Sequence, residues 1–279
     1  GEFATQSRAQ REIIHTVKSV AALSIQIKLA LTILCGLLSS CALQARDYDV
    51  IASYLHYSGG FTQGLELYKG RLYESSGQYG QSFVLQGSLT STSLKTDLAD
   101  DFFAEGLTVF KDRLYVLSWR KGQALVFNPD TLEQTAQFSY PGEGWGLTHS
   151  DHELYMSDGS DELRVIDPET FKEKRRIAVH YRGKPLKHLN ELEWHGGLIL
   201  ANVWRSDWIV AIDAKSGDVL KTFDLSGLFP RAMRGKGSDV LNGIAYDSTT
   251  DSWLLTGKYW PRIYRIRLQL PPNTSPDEP

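Results

Sequence analysis

The chain has 279 residues, 42% of them hydrophobic and 23% charged, which suffices for one large globular domain and argues against global disorder. Its 30 basic and 33 acidic residues give a formal net charge of -3, excluding the basic footprint of a nucleic-acid-binding protein. The 24 glycines, 13 tyrosines and 7 tryptophans suit many short strands and tight turns rather than an all-helical bundle.

Residues 1–45 read as material outside the fold. Gly1-Glu2-Phe3, with no initiator Met, looks like a cloning scar. Lys28 precedes the apolar run from Leu29 to Leu38 and then Ser39-Ser40-Cys41, the layout of a secretion signal whose apolar core is too short to span a bilayer comfortably. Leu38-Ser39-Ser40-Cys41 resembles a bacterial lipobox and makes Cys41 a candidate lipid anchor, while cleavage after Ala45 in Leu43-Gln44-Ala45 is the competing reading. The expected location is therefore exported, either periplasmic or as a membrane-anchored lipoprotein. Both cysteines, Cys35 and Cys41, lie in this segment, so no disulfide, cysteine nucleophile or cysteine-ligated zinc is expected in the folded part.

The first element after the signal is a strand from Tyr48 to Tyr57. A small motif, a short gap and an apolar strand then recur five times. Gln63-Gly64-Leu65 precedes Arg71-Leu72-Tyr73, Glu105-Gly106-Leu107 precedes Arg113-Leu114-Tyr115, and Trp145-Gly146-Leu147 precedes Glu153-Leu154-Tyr155. Asn190-Glu191-Leu192 precedes Leu198-Ile199-Leu200, and Asn242-Gly243-Ile244 precedes Trp253-Leu254-Leu255. The middle residues of these triplets stand 42, 40, 45 and 52 positions apart, the length of a propeller blade.

Third strands follow at Gln123 to Phe127, Glu162 to Ile166, Trp208 to Ile212 and Ile263 to Leu268. Asn128-Pro129-Asp130-Thr131, Asp167-Pro168-Glu169-Thr170 and Asp213 to Asp218 then supply turns leading to fourth strands. The last repeat stops after its third strand, at Leu270-Pro271-Pro272, and the strand starting at Tyr48 is the obvious donor of the missing one. The fold class expected is all-β: a five-bladed β-propeller over residues 46–270, closed by the N-terminal strand, with a disordered polar tail at 271–279. A two-sheet sandwich is the competing reading, but its strands would recur at about 8 to 12 residues without the longer period.

Innermost propeller strands line a central channel, so the residues before the Gly-Leu-type pairs, Gln63, Glu105, Trp145, Asn190 and Asn242, should converge there. The ends of the second strands bring Trp119, Trp204 and Lys258 to the same face. His149 and His152 fall in a short turn and read as solvated. No Ser-His-Asp arrangement, phosphate-cradling glycine loop or zinc-binding spacing is present.

Six blocks carry a family resemblance: Phe61-Thr62-Gln63-Gly64-Leu65-Glu66, Leu72 to Gly80, Glu105-Gly106-Leu107-Thr108, Asn190-Glu191-Leu192-Glu193-Trp194, Ala201-Asn202-Val203-Trp204 and Thr256-Gly257-Lys258-Tyr259-Trp260-Pro261. In this order they resemble the plant-type and bacterial glutaminyl cyclases, over nearly all of residues 55–265. The resemblance implies a five-bladed propeller that converts the N-terminal glutamine of peptides into pyroglutamate with release of ammonia. Glu105 would bind the α-amine and shuttle its proton. Gln63, Asn190 and Lys258 would contact the side-chain amide, and Phe61, Trp145 and Trp204 would form apolar walls. Phe103 stands where some relatives carry Trp and is placed, with Asn242, among the substrate-binding residues. No cofactor or metal is implied, the expected partners are peptides or proteins with N-terminal glutamine, and a monomer is expected.

The chemistry agrees with that assignment. One carboxylate can take a proton from the attacking amine and pass it to departing ammonia, while a lysine and amide donors stabilise the oxyanion. Two other classes stay open on the residues alone. A sugar-lactone hydrolase would hold a divalent cation on Glu105, Asn190 and Asn242, although Lys258 would repel the ion. A non-catalytic peptide-binding propeller would merely pair Glu105 with an N-terminal amine.

Overall fold

The computed structural model describes residues 47–272; residues 1–46, with the expected secretion signal and Cys41, and 273–279, most of the expected polar tail, lie outside the described residues. The first strand, β1 (Tyr48–Leu55), is separated from the rest of its sheet by the whole propeller. Blade 1 comprises β2 (Thr62–Tyr68), β3 (Arg71–Ser76), β4 (Phe83–Ser88) and β5 (Ser91–Asp97). Blade 2 comprises β6 (Ala104–Phe110), β7 (Arg113–Ser118), β8 (Gln123–Phe127) and β9 (Gln134–Ser139), and blade 3 β10 (Leu147–His149), β11 (Leu154–Met156), β12 (Glu162–Ile166) and β13 (Glu173–Ala178). A hairpin of β14 (His180–Tyr181) and β15 (Lys184–Pro185) leads to blade 4, built from β16 (Leu189–His195), β17 (Leu198–Val203), β18 (Trp208–Asp213) and β19 (Val219–Asp224). Blade 5 takes β20 (Leu241–Asp247), β21 (Ser252–Gly257) and β22 (Arg262–Leu268) from the C-terminal end and β1 as its outer strand, antiparallel to β22.

The innermost strands contact one another in a closed cycle: β2 with β6, β6 with β10, β10 with β16, β16 with β20, and β20 with β2. This is the five-bladed propeller expected from the repeat, with both chain ends in one blade. Inner strands are buried on both faces, as every residue of β6 is, whereas β5 is exposed along almost its entire length. That gradient explains why second and third strands carry apolar runs such as residues 114–117 and 124–127 whereas fourth strands are polar. The turns before the fourth strands use the side-chain chemistry anticipated for them. Asn128 Oδ1 accepts from Asp130 N at 2.8 Å, Asp167 Oδ1 from Thr170 N at 2.8 Å, and Asp213 Oδ1 from Ser216 N at 2.7 Å.

Apolar packing is divided into five clusters, one per blade junction. Four contain 11 to 15 buried residues, but the cluster between blades 5 and 1 has five: Leu65, Leu72, Ala245, Leu254 and Ile263. This weakest apolar junction carries a buried polar clasp. His56, immediately after β1, places Nε2 3.0 Å from Glu74 Oε2 on β3, and its Nδ1 lies 2.9 Å from the Trp260 carbonyl. Ser58 and Thr62 donate to the same carboxylate at 2.7 Å each. The turn needed to aim His56 inward ends β1 at Leu55, two residues earlier than the sequence pattern suggests.

Candidate active site

The recurrent triplet marks a local irregularity in the inner strands. Pairing register shifts between Thr62 and Gly64 on β2, Ala104 and Leu107 on β6, Leu189 and Leu192 on β16, and Leu241 and Ile244 on β20. Such bulges re-aim a side chain, here Gln63, Glu105, Asn190 and Asn242. The glycines permit the inner strands to close around them: a Cβ on Gly64 would lie 2.5 Å from Leu107 N, and one on Gly106 2.5 Å from Leu147 N. Blade 4 has Glu191 in the glycine position, and its carboxylate accepts from Leu65 N at 3.2 Å and Ile244 N at 2.9 Å.

On one face of the ring is a cavity of about 180 Å³ lined by Phe61, Gln63, Phe103, Glu105, Trp119, Trp145, Asn190, Trp204, Asp239 and Lys258. The structure therefore brings together eight of the nine site residues read from the sequence. Asn242 is the exception: it is fully buried, with Nδ2 donating to the Thr62 carbonyl at 2.9 Å and to Gln63 Oε1 at 3.4 Å, and it is absent from the cavity lining. It holds Gln63 from behind.

Glu105 and Lys258 are each 5% exposed. Burial pushes the Glu105 carboxyl well above its ordinary range, opposed by the charge of Lys258 and reinforced by that of Glu143. Burial pushes the Lys258 ammonium down, opposed by Glu105 and Asp239. Gln63 Nε2 donates to Glu105 Oε1 at 2.7 Å. Lys258 Nζ sits 4.5 Å above the Phe61 ring centroid, and its backbone is held by bonds to Val240 and Asp239. Asn190 Oδ1 is buried without a hydrogen-bond partner, an acceptor suited to a ligand N–H.

The walls are aromatic. Phe61 meets Phe103 edge-on at 6.1 Å, Phe103 meets Trp119 at 5.4 Å, and Trp145 meets Trp204 edge-on at 5.4 Å. Gly159, at φ +80°, leaves room for Trp145, whose ring would lie 2.7 Å from any Cβ there. Phe103 is thus an integral wall residue. Two contributors escaped the sequence reading. Asp239 lies in the long connection before β20, and Glu143 accepts from the Trp119 and Trp145 indoles; both stand outside the repeat that pointed to the others.

The opposite end of the channel differs from expectation. His149 is on β10, not in a solvated turn: its Nδ1 lies 2.9 Å from Thr108 Oγ1, and burial lowers its pKa to about 4. Thr108 also donates to Glu66 Oε2 at 2.8 Å. Among the described residues no group of three or more His, Cys, Asp or Glu side chains is arranged to hold a metal ion.

A buried carboxylate, a buried lysine, amide groups and aromatic walls form one closed set, and known proteins share its frame. The glutamine cyclotransferase family matches residues 25–268. The glutaminyl-peptide cyclotransferase of Arabidopsis thaliana is 36% identical over 230 residues, covering 80% of this chain and 72% of that protein. The crystal structure of Myxococcus xanthus glutaminyl cyclase aligns with a TM-score of 0.73 at 34% identity, covering 79% of this chain and 96% of that one. Matched by the family over residues 25–268 and by relatives at 36% and 34% identity over 80% and 79% of its length, the chain belongs to the glutamine cyclotransferase family.

Proposed function

We propose that this protein cyclises the N-terminal glutamine of peptides to pyroglutamate, with Glu105 as proton shuttle, and without a metal ion. The observation that carries the reading is the buried Glu105 facing buried Lys258 inside an aromatic-walled pocket. The glutaminyl side chain enters between the Phe61, Phe103, Trp145 and Trp204 rings, which hold it folded toward its own α-amine, so orientation supplies much of the acceleration. Glu105 takes a proton from the attacking amine as its nitrogen bonds to the side-chain amide carbon. Lys258 stabilises the negative charge that builds on the amide oxygen. As the carbon–nitrogen bond of the amide breaks, the same proton passes from Glu105 to the leaving nitrogen, which departs as ammonia. Asn190 Oδ1 accepts an N–H of the substrate.

Burial makes this assignment chemically sensible. A carboxylate whose affinity for protons is raised is a better base toward an amine than an exposed one. A lysine beside it repels a divalent cation, which disfavours the lactone-hydrolase alternative, as does the engagement of Asn242 behind Gln63. The protein acts outside the cytoplasm in this proposal, on the strength of its N-terminal segment alone; mass analysis of the mature N-terminus separates lipidation at Cys41 from cleavage after Ala45. The deciding assay is ammonia release from a Gln-starting dipeptide, with and without a chelator. Release under both conditions is expected. Binding without release would leave only a peptide receptor, and loss restored by a divalent cation would overturn the metal-free mechanism.

A further inference from the structure

We propose that Glu143 is a positioning residue that joins the two halves of the aromatic wall and thereby sets how the substrate side chain is held against Glu105. The wall is discontinuous as a set of rings. Phe61, Phe103 and Trp119 form one contacting series and Trp145 with Trp204 another. Among the described residues no ring contact joins Trp119 to Trp145; Glu143 makes the join. Its Oε2 accepts from Trp119 Nε1 at 2.8 Å and from Trp145 Nε1 at 3.0 Å.

Trp119 follows β7 in blade 2 and Trp145 precedes β10 in blade 3, so one carboxylate oxygen fastens two walls carried by different blades. The indole N–H can only donate, and a charged acceptor bonds it more strongly than a neutral one. The second oxygen accepts from Arg120 Nε at 3.0 Å, and the Arg120 guanidinium lies 3.8 Å over the Trp119 ring. Gly144 N donates to the Trp119 carbonyl at 3.0 Å, tying the backbone beside Glu143 to the same tryptophan. A partly exposed ion pair is ordinarily worth little. This one differs because the donors it satisfies are the substrate's walls.

Electrostatics give the residue a second reach. Burial opposes its ionisation, but the bonds from Trp145, Trp119 and Arg120 outweigh that and hold its carboxyl below the usual range. The resulting negative charge acts on Glu105 in the same direction as burial, against Lys258. The groups around Glu105 that bear on its protonation are thus Lys258, Glu143, the Gln63 amide and the Tyr140 phenol.

The inference rests on the cyclase reading, and the experiment keeps the two separable. Cyclisation of a Gln-starting dipeptide is followed from acid to alkaline pH for the parent protein, Glu143→Gln and Glu143→Ala, with near-ultraviolet circular dichroism of each. Glu143→Ala frees both indoles and should lower kcat about tenfold with a smaller rise in KM, because orientation toward the reacting amine is what is lost; the tryptophan dichroism should weaken. Glu143→Gln keeps an acceptor oxygen, so kcat at its pH optimum should stay near the parent value, while the acid limb of kcat/KM moves to lower pH because a like charge beside Glu105 is gone. If Glu143→Ala does not fold, the acid limb of Glu143→Gln decides. Unchanged kcat in Glu143→Ala, or an unmoved acid limb in Glu143→Gln, overturns the proposal. Absence of turnover in the parent protein overturns the cyclase reading instead.

Discussion

Gln63 Nε2 donates to Glu105 Oε1 at 2.7 Å, tying the inner strand of blade 1 to the carboxylate of blade 2. One oxygen of Glu105 is thereby held in place, and in the proposed reaction the carboxylate takes the amine's proton. Glu105→Gln preserves shape and an oxygen that Gln63 can bond, but removes the proton shuttle. Its kcat should fall at least about a hundredfold with the fold retained by circular dichroism. Near-normal turnover in a folded variant would move the shuttle elsewhere.

Lys258→Met tests the oxyanion role. Loss of one such donor costs about 2.7 to 4 kcal/mol in the barrier, so kcat should drop about a hundredfold or more. The charge of Lys258 also lowers the Glu105 pKa against burial, so its removal should shift the acid limb of kcat/KM to higher pH. A rise in KM alone would show that the lysine binds substrate and transition state equally.

The clasp at the ring closure should govern stability. His56 is held above its ordinary pKa of 6.5: burial opposes its charge, but the charge and hydrogen bond of Glu74 and the bond to the Trp260 carbonyl outweigh it. Burial likewise opposes ionisation of Glu74, and His56, Thr62 and Ser58 overcome it to hold the carboxyl below 4.5. The His56 contribution is full below pH 6.5 and is lost as pH rises through the raised value; that of Glu74 is full above pH 4.5 and is lost as pH falls through the lowered one. The pair therefore supports the fold best between these limits. Removing one partner of a buried pair costs about 3 to 5 kcal/mol, so His56→Gln should lower Tm near pH 6 by about 6 °C or more. It should also flatten the decline of Tm toward alkaline pH.

Glu66 supplies an opposite test. Burial raises its pKa to about 7, against the Thr108 hydroxyl and Val109 N–H. A raised carboxyl contributes most below its ordinary 4.5 and loses that contribution as pH rises through about 7. Glu66→Gln removes the cost of ionising it, so the variant should melt higher than the parent at pH 8 and about equally at acid pH. Thermal melts across this range check it; a lower melting point at both pH values would show that the carboxylate itself is required.

The blades were legible because each repeat must bury the same faces, which writes Gly64-Leu65, Gly106-Leu107 and Gly146-Leu147 at near-constant spacing. Lys258, Trp119 and Trp204 followed as equivalent strand ends. Glu143 and Asp239 were not legible, since each belongs to a connection without a counterpart in other blades. Asn242 occupies a repeat position whose equivalents face the pocket, yet hydrogen bonds to Thr62 and Gln63 hold it behind the wall. His149 looked like a turn residue because β10 is only three residues long.

Glu191 ties three inner strands together. In four repeats the corresponding position is glycine; in blade 4 a carboxylate extends across the axis to backbone amides of blades 1 and 5. One buried side chain thus links the inner strands of three blades, and its loss would leave two backbone amides, on different blades, without their acceptor.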